Sequence, residues 1–173
     1  MGFNLGEYSR HEAAIGTIYT TGDKLVFDPP QPVMVVEFGF IVTTSFAGVT
    51  SQIWIAETRP VAGSSSNAVQ VGTITLGSGV NPVAGKVIQY RFEGLPQSQA
   101  YQPTTGLPTS TLLQTPVKVI PGSEFAVKTG TTTGTSAGSG YAFCLYRPVG
   151  QADLTTSSLT GVDDMVNVTR YMS

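Results

Sequence analysis

Between Val33 and Thr44 the chain alternates: Met34, Val36, Phe38, Phe40 and Val42 fall on even positions, with Glu37 and Thr43 on odd ones. A period of two places all five apolar side chains on one face of an extended strand, whereas a helix would scatter them around its axis. The pattern predicts a half-buried β-strand, and the same period recurs along the chain. Val49, Ile53 and Ile55 put the next core face on odd positions and turn Trp54 the other way. Val69 and Val71 are odd while Ile74 and Leu76 are even. One residue must be absorbed there, so a β-bulge is expected near Gly72.

Ile88, Tyr90 and Phe92 alternate with Gln89, Arg91 and Glu93. Val117 and Val119 form a short strand closed by Pro121-Gly122, and Phe125 and Val127 follow. Tyr141, Phe143 and Leu145 make a last apolar stripe ending at Pro148, with Cys144 aimed at the opposite face. Ile15 to Tyr19 and Leu25 to Phe27 supply one or two strands near the start. The total is about eight short strands divided by turns, the pattern of an all-β sandwich or barrel. One helical signal interrupts it: Ser9 and Glu12 have capping-box spacing before Ala13, Ala14 and Ile15, with Gly16 as a stop, which predicts about one turn of helix. The expected organisation is an N-terminal arm or short helix over residues 1–14, a sandwich over 15–150, and a C-terminal edge strand or arm over 151–173.

The 173 residues are a normal length for one domain, and the single cysteine excludes an intrachain disulfide. Only 12% of residues are charged, about half the usual share. Polarity comes from Ser, Thr, Gln and Asn instead, giving a neutral surface that is cheap to dehydrate, as interface centres are. The alternative is that Thr fills exposed strand positions, where its propensity is high. A net charge of −2 with scattered Lys and Arg offers no stripe for tracking phosphates, so nucleic acid is not an expected partner. No apolar run reaches the ~18 to 20 residues a bilayer needs, and neither a secretory signal nor a myristoylation motif is visible at the N-terminus.

Chemistry is poorly supplied. His11 is the one histidine and Cys144 the one cysteine, which excludes zinc or cupin-like centres built from several such ligands. A nucleophilic pair would need His11 as base, and His11 falls outside the predicted strand framework. Cys144 reads as a small hydrophobe within a strand. Glu37, Glu57, Glu93 and Glu124 lie on or beside strands, yet no spacing selects a pair for glycoside hydrolysis. Asp163-Asp164 lacks a calcium-loop pattern, and Gly79 to Lys86 departs from the phosphate-loop spacing and reads as a turn. Asn167-Val168-Thr169 fits a glycosylation sequon without an export signal to make use of it. No catalytic residue, metal ligand or cofactor is expected.

Three stretches stand outside the strands. Pro60 to Ala68 is Gly/Ser-rich, and Thr129 to Gly140 is a low-complexity Thr/Gly/Ser tip. Gly94 to Gln114 is long for a connection and carries Tyr101, Leu107, Leu112 and Leu113, which favours a binding loop. With Phe3, Leu5 and Tyr8 at one end and Val166 and Tyr171 at the other, these residues form the expected partner-binding set. Trp54, turned away from Ile53 and Ile55, is the candidate for a ligand-facing aromatic. Packing inside the core or between subunits is the competing reading.

The run Val117-Lys-Val-Ile-Pro-Gly-Ser-Glu-Phe-Ala-Val-Lys, the Gly/Thr/Ser-rich tip and the closing strand Gly140-Tyr-Ala-Phe-Cys-Leu-Tyr-Arg-Pro resemble the small jelly-roll or β-sandwich proteins that decorate and cement the heads of tailed bacteriophages. The resemblance is one of character over most of residues 11 to 150. It implies a single antiparallel β-sandwich of jelly-roll type without enzyme activity or cofactor. It also implies a homotrimer bound to a major capsid protein on the outside of the virion, after assembly in the host cytoplasm. A carbohydrate- or receptor-binding module of a viral tail or fibre is the alternative.

Overall fold

The computed structural model describes residues 8–16, 21–48, 52–77, 79–92, 116–130 and 137–149. They form nine strands: β1 (Ser9–Ala14), β2 (Gly22–Phe27), β3 (Val33–Ala47), β4 (Gln52–Arg59), β5 (Val69–Leu76), β6 (Val87–Arg91), β7 (Val117–Val119), β8 (Glu124–Thr129) and β9 (Ala137–Pro148). All ladders are antiparallel, and the strands divide into two sheets. The first runs β1-β9-β3-β6, with β7 also paired to β3, and the second runs β2-β8-β4-β5. The chain is an all-β sandwich.

The pairing is nested. β1 pairs with β9, β2 with β8, β3 with β6 and β7, and β4 with β5. Successive pairs then alternate between the two sheets. β9 closes onto β3 in the first sheet and β8 onto β4 in the second. The inner faces meet through aromatic side chains. Phe40 of the first sheet stacks on Trp54 of the second with centroids 4.3 Å apart, and Phe38 meets Phe125 edge-on at 6.3 Å. Phe92, just past β6, also packs against both Phe38 and Phe125.

Along β6 and β8 the alternation placed side chains on the correct face, whereas along β9 the expected stripe Tyr141, Phe143 and Leu145 faces outward and Ala142 and Cys144 join the core. Ile88, Tyr90, Phe92, Phe125 and Val127 are all buried in the core. The bulge expected near Gly72 is present: Ala56 faces Gly72 while Glu57 faces Gln70, so Val71 is the extra residue in β5. A second bulge was not foreseen. Val35 faces Tyr146 and Glu37 faces Leu145, which makes Val36 an extra residue in β3. The core face of β3 is therefore Val33 and Val35 before the bulge, then Phe38, Phe40 and Val42 after it. Met34 and Val36 belong to the outer face.

Two further expectations are corrected. Ser9–Ala14 is a strand, not a helical turn, because it pairs with β9 in register over six consecutive residues. A one-turn helix would leave most of its N–H and C=O groups unpaired. His11 accordingly lies inside the strand framework, opposite Cys144, with its ring 4.9 Å from that of Phe27. Trp54 is fully buried on the core face with Ala56, while Ile53 and Ile55 face outward and are half-buried. A large ring gains more from core burial than either isoleucine, and Phe40 supplies its stacking partner.

Candidate functional site: the two outer faces

Register fixes what each sheet shows to the outside. On the first sheet one cross-strand row is Ala14, Tyr141, Ile41 and Val87. The next is Glu12, Phe143, Gly39 and Gln89, and the third is Arg10, Leu145, Glu37 and Arg91. The first row is apolar throughout, with Tyr141 at 45% and Val87 at 47% exposure. Such a row on an outward face leaves apolar area in contact with water. Phe143 stands opposite Gly39 in the second row and is itself buried. In the third row the Arg91 Nε–H donates to Glu37 Oε2 at 2.6 Å. Arg10 and Glu12 form a second ion pair on the rim at 2.6 Å.

The outer face of the second sheet has a different character. Arg59, 5% exposed, sits at the centre of three carboxylates. Its Nη groups donate to both oxygens of Asp23 at 2.6 and 2.9 Å, its Nε to Glu57 at 2.8 Å, and Nη1 to Glu124 at 2.8 Å. Lys128 binds the second oxygen of Glu57. The connection after β4 folds back over this cluster. Its Ala62 N–H donates to Gly122 O at 2.9 Å and its Gly63 N–H to Glu124 Oε2 at 3.0 Å. The hydrogen bonds that Arg59 donates to Asp23 lead the causes that push its guanidinium well above its ordinary pKa, so the cation is permanent. Each of the five charged side chains thus has an oppositely charged partner, with Asp23 and Lys128 still partly exposed. Glu57 and Glu124, candidates for a paired-carboxylate site, are bridged by Arg59 rather than facing a cleft.

Between β1, β9, β3 and β6 the first sheet carries a hollow of about 280 Å³ lined by Tyr8, Val36, Glu37, Arg91 and Leu145. Val36 and Glu37 are neighbours in sequence, and the bulge lets both reach the same side. Here the edge partner of β3 also changes: β7 pairs as far as Val35, β6 from Glu37, and the Phe92 N–H donates to Val36 O at 2.9 Å.

Of the expected partner-binding residues, Tyr8 is exposed at the rim of this hollow. Phe3, Leu5, Tyr101, Leu107, Leu112, Leu113, Val166 and Tyr171 lie outside the described residues, as do Glu93, Asp163, Asp164 and the sequon at Asn167. Cys144 is fully buried, and desolvation pushes its thiol far above the ordinary value. Trp54 faces no solvent, and its Nε1–H has no hydrogen-bond partner among the described residues. Among those residues no group of three or more His, Cys, Asp or Glu is placed to hold a metal ion, and no helix is long and apolar enough to cross a membrane. The outer row Tyr141-Ile41-Val87 was missed because alternation along β9 picked out Tyr141, Phe143 and Leu145 as its apolar stripe, whereas the structure turns Ala142 and Cys144 into the core and that stripe outward. No protein-family model, curated protein or solved structure matches the chain.

Proposed function

We propose that this chain is a non-catalytic structural protein that works by docking flat sheet surfaces, and that it decorates the outside of a virus capsid of the tailed-phage type. The observation that carries the reading is the apolar row Tyr141-Ile41-Val87 on the outer face of the first sheet, exposed at Tyr141 and Val87 and half-buried at Ile41. On the opposite side of the sandwich, the outer face of the second sheet pairs its buried charges with one another. A surface of neutral and apolar groups loses little on dehydration and gains from burying apolar area. Nested pairing with sheet orders β1-β9-β3-β6 and β2-β8-β4-β5 is the arrangement a jelly roll requires, with β6 and β7 sharing one strand position, and it supports that topology here.

In this reading copies of the chain, arranged as a homotrimer, bind a major capsid protein of the mature shell. Because the subunit binds only the assembled lattice, its interface free energy adds to particle stability by mass action. No catalytic group, cofactor, nucleic acid or membrane takes part. The test is electron microscopy of particles purified from the source of the chain, with wild type and a Tyr141→Asp/Val87→Asp variant compared for occupancy. Regular outer-surface density that falls at least about tenfold in the variant is expected, since two buried charges cost several times the 1.4 kcal/mol that tenfold represents. A chain found only in the soluble fraction, or undiminished variant occupancy, overturns the assignment.

A further inference from the structure

The bulge at Val36 does more than shift the phase of β3. By turning two consecutive side chains to one side, it opens the hollow at the seam where β7 gives way to β6. Bulges commonly re-aim side chains beside binding sites. We infer that this hollow binds one neutral, hydroxyl-rich ring, the chemistry of a single sugar unit.

Three features of the lining point that way. Glu37, whose side chain is 8% exposed, and Arg91, 44% exposed, form a pair of zero net charge. A charged ligand would find no net charge to neutralise it there, whereas a neutral one would find an acceptor and donors side by side. A guanidinium has five N–H groups, and the contact with Glu37 uses Nε. Glu37 is the polar partner of Arg91 among the described residues, so the Nη donors remain for a ligand. Adjacent hydroxyls match this arrangement: one donates to the carboxylate while its neighbour accepts from the guanidinium.

Val36 and Leu145 supply apolar wall, and Tyr8, 52% exposed, offers a ring at the rim. The electron-rich face of an aromatic ring attracts the weakly positive C–H face of a pyranose. Size sets the limit. A volume of about 280 Å³ falls just below the range of drug-sized pockets, which suits one ring rather than a chain of them. Because the hollow is open, affinity is expected on the order of millimolar.

This inference goes beyond the docking role and stands without it. Tyr141 and Leu145 are four residues apart along β9, so the apolar row lies roughly 13 Å from the hollow. The test is titration of the full chain with methyl glycosides of glucose, galactose, mannose and N-acetylglucosamine, read by amide chemical shifts. At least one glycoside is expected to give saturable shifts at Val36, Glu37 and Leu145. Tyr8→Ala, which removes an exposed side chain, and Arg91→Met are expected to weaken binding by roughly tenfold each. Trp54 emission should stay constant, since that ring is enclosed in the core.

An oligosaccharide ending in the preferred unit separates the two sources of this chemistry. Retained binding assigns a glycan end and lost binding a free sugar, and either supports the site. The inference is overturned if no glycoside shifts these amides, if both variants bind as wild type does, or if acetate or phosphate binds where no glycoside does. Because Tyr8 is exposed, a folded Tyr8→Ala protein is available even if Arg91→Met fails to fold.

Discussion

Arg59 shows how far residue type alone underdetermines role. In sequence it is one of nine Lys and Arg; in the fold it is buried and bonded to Asp23, Glu57 and Glu124. Removing it leaves Glu124 buried without its counter-ion and Glu57 with Lys128 alone, which costs about 3 to 5 kcal/mol. Arg59→Ala should therefore lower the urea midpoint severely. Arg10→Ala should change stability by less than about 1 kcal/mol, because its pair with Glu12 is solvent-exposed. Equal effects of the two substitutions would show that the Arg59 cluster contributes no more than a surface pair. The same gap between type and role explains Trp54. Alternation with Ile53 and Ile55 defined two faces of β4, and nothing local said which one faced Phe40.

At the scale of elements, glycine and the bulges decide how strands meet. A Cβ added at Gly39 would lie 2.1 Å from Ile88 O and 2.8 Å from Gln89 Cα, both backbone atoms of β6. Since neither can swing away as a side-chain tip can, Gly39→Ala must part β3 from β6, at a cost of about 1 to 3 kcal/mol. At Gly130 the nearest neighbour of an added Cβ is Ile55 Cδ1 at 3.4 Å, so Gly130→Ala should stay within about 0.5 kcal/mol of wild type. Denaturant titration of the pair checks both, and an unaffected Gly39→Ala protein would refute the close approach. The bulge near Gly72 was legible because the apolar phase visibly changes there. The bulge at Val36 was not, since Met34, Val36 and Phe38 continue one unbroken alternation and only pairing with β9 reveals the extra residue.

At the scale of the molecule, nesting makes the longest-range pairs close the first sheet. His11 lies opposite Cys144, so β1 finds β9 only after most of the chain has been placed between them. Loop closure must be met before these contacts repay it, and all-β folds of this kind refold in roughly milliseconds to seconds. Trp54, stacked on Phe40, reports the packing of one sheet on the other. Stopped-flow refolding should show its emission change as a phase slower than about a millisecond. Complete burial on the microsecond scale would contradict sandwich closure as the limiting step.

Period-two hydrophobicity, turn residues and the lack of helical periodicity determined an all-β chain and most of its strands, because a strand's alternation is a local property written into neighbouring residues. A scarcity of histidine and cysteine was equally plain from composition. Only tertiary structure decided which face of β4 and β9 turned inward, how the strands nest, and where Val36 and Glu37 open a hollow. Those outcomes depend on partners distant in sequence: a strand with apolar residues on both faces has no internal reason to choose, and the sheet packed against it makes the choice.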